Sequence, residues 1–142
     1  MRKELFKIFV ILCCCVGLTS VSVNAQSGTS FEIDIPFEFV VKDKNFPADK
    51  YKIGRFSRAN PDILILKNTD GKKKIIFLIQ RLSNAPPKKQ SELTFYRFGN
   101  IYFLHSIWES GETTGSQLVP GASERRQQRR AKEAQIVRLT VK

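Results

Sequence analysis

Cysteine is confined to three adjacent positions, Cys13, Cys14 and Cys15, and the rest of the 142-residue chain has none. Removal of that stretch with a leader excludes disulfides, thiol nucleophiles, zinc–cysteine sites and iron–sulfur clusters from what remains. Histidine is as scarce: His105 stands alone, which excludes histidine-rich metal sites and paired-histidine mechanisms. The chain has no G-x-S-x-G elbow, glycine-rich phosphate loop, internal repeat or low-complexity tail. No apolar run reaches the roughly 18–20 residues of a membrane span. Acid is in short supply too, with 13 Asp and Glu against 24 Lys and Arg and a net charge of +11, which directs partners toward anionic surfaces.

Residues 1–25 read as a secretory signal peptide. Arg2, Lys3 and Lys7 form the basic start, residues 8–18 an apolar stretch, and Val23-Asn24-Ala25 supplies the small residues that signal peptidase needs. Leu12 before Cys13 is a poor context for lipidation. The expectation is export to the periplasm or the extracellular space, with residues 26–142 as a single β-rich domain and no transmembrane span after cleavage.

With 42% hydrophobic and 11% aromatic residues, the remainder has enough apolar surface to build a core. Phe31, Ile33, Ile35, Phe37, Phe39 and Val41 alternate with mostly polar residues, which predicts a long strand, and Pro36 places it at an edge or a bulge. Phe46-Pro47-Ala48-Asp49 turns into a second strand at Tyr51 and Ile53. Residues 63–66 and 75–79 are continuous apolar runs joined by Asn68-Thr69-Asp70-Gly71, a hairpin expected to be covered on both faces. A second hairpin runs over residues 93–98 and 101–108. A two-residue Gly99-Asn100 loop sets Phe98 opposite Ile101, Tyr96 opposite Phe103 and Thr94 opposite His105. A short strand falls near residues 117–119. Ser123 is placed as the N-cap of a helix reaching about Ala134, and a last strand covers residues 136–141. The predicted fold is mainly β: an antiparallel sandwich or small barrel of seven to eight strands, with one C-terminal helix before the last strand.

The helix carries the most distinctive charge. Arg125, Arg126, Arg129, Arg130 and Lys132 make a cationic ridge suited to phosphate, sulfate or carboxylate groups of a polyanion. The competing reading is a solvated helix held by pairs such as Arg129 and Arg130 with Glu133. Lys72-Lys73-Lys74 and Lys88-Lys89 read as charged turns. Glu32, Asp34 and Glu38 share one strand face and have the right spacing for a calcium site or an acid/base pair, but cross-strand pairing with Lys50, Lys52 or Arg55 is the simpler account. Tyr96, Phe103, His105 and Trp108 are the candidate lining of a small-ligand site.

Several of these segments resemble one pattern: IPFEFVV at 35–41, FPADKYKI at 46–53, FYRFGNIYFL at 95–104, then Ile107-Trp108 and Ser123-Glu124-Arg125. Together they resemble an uncharacterised family of short exported bacterial proteins with the pattern IPFxFxV, PAGxYxV, YGxxYFL and a following IW. The resemblance implies an exported single β-domain and transfers no catalytic residue, metal or cofactor.

The expected function is therefore non-enzymatic binding. The basic helix would face an anionic envelope polymer, lipid head group or acidic protein, with no specific nucleic acid and no cofactor. The alternative is a carrier of a small hydrophobic ligand inside a β-barrel. A third reading is a hydrolase using Glu38 or His105.

Overall fold

The computed structural model describes residues 30–83, 86–131 and 133–141; the expected leader, residues 1–25, and Lys132 lie outside them. The elements are β1 (Ser30–Ile35), β2 (Phe39–Val41), β3 (Lys44–Phe46), β4 (Asp49–Arg55), β5 (Ile63–Asn68), β6 (Lys74–Leu82), β7 (Glu92–Phe98), β8 (Ile101–Trp108), β9 (Gly115–Leu118), helix α1 (Ala122–Arg130) and β10 (Gln135–Thr140). The chain is mainly β, with the helix before the last strand as expected.

Ten strands replace the expected seven to eight because the first long strand does not run through. Pro36 cannot donate to a ladder, and there the chain leaves β1, which is paired with β4. Phe39 and Val40 reappear in β2, parallel to β8 at Tyr102 and Phe103. Lys42 and Asp43 then turn the chain with φ of 50° and 66°. Both central residues of this two-residue loop lie in the left-handed region, the type I′ requirement, and β3 folds back on β2 with Phe46 opposite Phe39.

The strands run β1-β4-β5-β6-β9-β8-β2-β3. Beta-8 is the branch point: Tyr102 pairs with both Arg97 of β7 and Phe39 of β2, and Ser106 with both Thr94 of β7 and Gln117 of β9. β7 therefore occupies one edge of β8, while β2 and β9 share the other. β10 adds to β7. The sheet does not close. Among the described residues β1 and β10 are unpaired on their outer edges, and a cleft of about 430 Å³ is lined by Glu32, Ile33 and Asp34 of β1 with Thr140 and Val141 at the end of β10.

Inward residues from the two halves meet in one core. Ile33, Ile35, Tyr51, Ile53, Leu64, Leu66, Ile75 and Phe77 come from β1, β4, β5 and β6, and Phe39, Phe46, Leu93, Phe95, Leu104 and Ile107 from the other half. At about 1.5–3 kcal/mol for each buried large side chain, this cluster is the main stabilising term. Tyr51 is fully buried, and its hydroxyl donates to the Pro47 carbonyl at 2.7 Å, which satisfies its one polar atom. Burial pushes its pKa up to about 12.

Two expectations about the hairpins change. The β7–β8 hairpin has the predicted two-residue loop, with Gly99 at φ 62°, and keeps Phe98–Ile101, Arg97–Tyr102, Tyr96–Phe103 and Phe95–Leu104 in register. Beyond Leu104 the register shifts, so Thr94 faces Ser106 and His105 is the extra residue of a bulge. The β5–β6 hairpin was expected to be covered on both faces. Its inner side is buried, but Ile76 and Leu78 are 48% and 58% exposed on the outer side.

Candidate functional site

Helix α1 is fixed by a residue far away in sequence. Gly121 takes the N-cap position in place of the expected Ser123, and has no side chain to cap with. Asp43, from the β2–β3 turn, takes over: its carboxylate accepts from the backbone N–H of Ala122 at 2.9 Å and of Ser123 at 2.8 Å, and from the Ser123 hydroxyl. These are the amides that a helix leaves unpaired at its start. The Ser123 hydroxyl first, then the two amides, hold the Asp43 carboxyl down at about 2. Glycine at 121 is a packing requirement, since a Cβ there would meet Asp43 Oδ1 at 2.6 Å.

Residues four apart on α1 share a stripe, and the stripes have distinct surroundings. Ser123 and Gln127 line a cleft. Arg126 and Arg130 border that stripe, and Arg125 and Arg129 form the next. Glu124, the only acidic residue of the helix, is buried at 5% exposure. Burial is the main reason its carboxyl rises to about 7, opposed by Lys42 and by the Gly121 amide. The side-chain amide of Gln128 donates to it at 3.4 Å. The inward turn of Glu124 leaves the solvent side of α1 without an acid.

All four arginines are exposed. The helix ends at Arg130, where Ala131 turns extended, so Glu133 is not one helical turn beyond Arg129. Among the described residues no ion pair joins Glu133 to Arg129 or Arg130, contrary to the pairing that the solvated-helix reading invoked. Arg129 and Arg130 stand at the helix C-terminus, where the macrodipole favours cations.

The cleft beside α1, about 350 Å³, is lined from β2, β3 and β8 by Val40, Asn45, Tyr102 and Phe103, with Glu38 and Asp43 at its acidic side. Glu38 thus stands apart from Glu32 and Asp34. The three carboxylates do not share a strand face as predicted, because the chain breaks at Pro36. Glu32 and Asp34 sit directly opposite Lys52 and Lys50, the cross-strand arrangement preferred from the sequence.

The four candidate ligand residues divide. Tyr96, His105 and Trp108 line an open cleft of about 530 Å³ on the outer side of β7 and β8, with Lys88, Glu92 and Arg138 at its rim. Phe103 is buried, edge-on to Phe98 at 5.9 Å, and lines the other cleft. The His105 ring stacks on Tyr96, with ring centroids 3.8 Å apart. Burial lowers its pKa, which keeps it neutral near pH 7, and its Nδ1 has no hydrogen-bond partner among the described residues. Trp108 is held between the Lys88 ammonium, 5.4 Å from the ring centroid, and Gly115, where a Cβ would come within 2.6 Å of the indole. Glu38 and His105 lie in different clefts.

No protein-family model, curated protein or solved structure matches the chain. Sequence reasoning singled out the arginines but missed Asp43, which caps the helix that carries them, and the burial of Glu124 beneath it. The signal for Asp43 was local: Lys42-Asp43-Lys44-Asn45 between Val41 and Phe46 is a polar turn between apolar residues.

Proposed function

We propose that this is an exported, non-enzymatic binding domain whose arginine helix engages an anionic polymer of the cell envelope. The observation that carries the reading is the composition of the exposed side of α1: four guanidinium groups, no acid, and a helix start pinned by Asp43 to the β2–β3 turn. A row of guanidinium groups favours phosphate and carboxylate ligands because their planar forks bind such groups in a bidentate manner. The packed interior and the outward placement of Tyr96, His105 and Trp108 favour binding at the surface over carriage inside the sheet.

Long-chain polyphosphate serves as the probe. Its affinity is expected to fall steeply with salt, and replacing Arg125, Arg126, Arg129 and Arg130 together with Gln should make the log K against log salt slope shallower by roughly three. Titration calorimetry over a salt series reads both. Equal slopes for the two proteins would end this assignment.

A further inference from the structure

The outer face of β4, β5 and β6 holds a second cationic surface, built on a different pattern. Register sets three rows across these strands. Lys52 faces Lys67, which faces Lys74; Gly54 faces Ile65, which faces Ile76; and Ile63 faces Leu78, with the Phe56 amide bonded to the Ile63 carbonyl at 2.9 Å. Successive rows lie about 7 Å apart. One row is entirely lysine and the next two are aliphatic and aromatic, with Phe56, Ile76 and Leu78 each about half exposed or more, at 53%, 48% and 58%.

Neither half of this arrangement serves the isolated domain. Like charges directly opposite on a sheet repel, yet three lysines are aligned, with Glu32 the one acid at the end of their row. Among the described residues no ion pair joins Lys52, Lys67 or Lys74 to a carboxylate. The aliphatic rows are a contiguous apolar patch that water must cover.

We infer that this sheet face docks on an anionic lipid bilayer, with Phe56, Ile63, Ile76 and Leu78 entering the head-group boundary and the lysine row meeting lipid phosphates. Apolar area beside a line of cations is the combination that drives interfacial binding, each element supplying what the other lacks. Charge complementarity selects the occupant: a second copy packed on this face would bring another lysine row to the same seam, whereas an anionic bilayer neutralises the row and takes the apolar side chains in one step. This surface is separate from α1 and stands whether or not the helix binds a polymer.

The test places a reporter in the patch. In the full chain carrying Leu78→Trp, the indole at position 78 is expected to shift to shorter emission wavelength on phosphatidylcholine vesicles containing phosphatidylglycerol, and to be quenched by acyl-brominated lipid. The parent chain supplies the Trp108 background. Adding Lys52→Gln, Lys67→Gln and Lys74→Gln should weaken that response at least about tenfold. The readout is local, so binding through residues 1–25 does not imitate it, and all four positions are exposed, so the substitutions leave the core intact. An indole that stays water-exposed and unquenched overturns the proposal, as does equal quenching without phosphatidylglycerol. A blue shift without lipid that follows dimer formation in sedimentation equilibrium assigns the face to a second copy instead.

Discussion

Glu124 lies beneath four arginines and yet is paired with none of them in an ion pair among the described residues. Its neighbours are Lys42 and Arg125, which favour the ionised form, and Asp43, which opposes it, and burial outweighs them. The folded pKa of about 7 stands above the usual 4.5, so between those values the folded chain holds a proton that the unfolded chain has lost. The stabilising contribution is therefore complete below about pH 4.5 and disappears as pH rises through 7. Glu124→Gln keeps the shape and removes the titration. Relative to the parent, the variant should gain on the order of 2–3 kcal/mol between pH 5 and pH 8, read from urea midpoints at the two pH values. A constant difference between the two proteins would show that Glu124 stays ionised in the fold.

At the scale of elements, α1 depends on the β2–β3 turn. Nine residues are too few for a stable isolated helix, and the one residue it buries is Glu124 instead of an apolar side chain. Tertiary capping takes over part of that role. Asp43→Ala removes three hydrogen bonds at once and should cost about 1–2 kcal/mol, seen as reduced helical signal in circular dichroism and faster amide exchange at Ala122 and Ser123. Polyphosphate affinity should fall with it although no arginine has changed, since the substitution frees the helix that carries them. The β7–β8 hairpin shows a different limit. Its loop and first four pairs were legible, because Gly-Asn between apolar runs has few alternatives, but the bulge at His105 arises where β8 exchanges β2 for β9 along one edge. That event depends on three strands and leaves no mark in the sequence of one.

Across the whole molecule, Phe39 is the joint between the two halves. Its ring lies 5.5 Å from Phe46, 5.2 Å from Tyr51 and 5.6 Å from Phe95, so β2, β3, β4 and β7 meet on one side chain. Phe39→Ala should cost about 3–5 kcal/mol in denaturant unfolding. Because one core spans both halves, a chain carrying Tyr96→Phe and Tyr102→Phe, with Tyr51 as its one tyrosine, should show tyrosine and tryptophan fluorescence changing in a single transition at one midpoint, Tyr51 lying in one half and Trp108 in the other. Separate midpoints would mean that the halves fold independently. The free edges of β1 and β10 flank a cleft in place of a ladder, and the acidic side chains on β1 together with Pro36 guard that edge against pairing with another chain.

The amino-acid sequence by itself determined the class of fold, the inward and outward residues of most strands, the Gly99-Asn100 turn, the helix before the last strand and the cationic character of its surface. Each of these is local: alternation of period 2, a turn dipeptide and a run of charges depend on neighbours a few residues apart. Tertiary structure alone decided that the strand breaks at Pro36, that Asp43 caps a helix some eighty residues later, that Glu124 is buried and that three lysines line up across β4, β5 and β6. Those features depend on pairing between distant strands. A one-residue change of register would send every side chain of a strand to the opposite face, and that choice is made by the summed packing of the core.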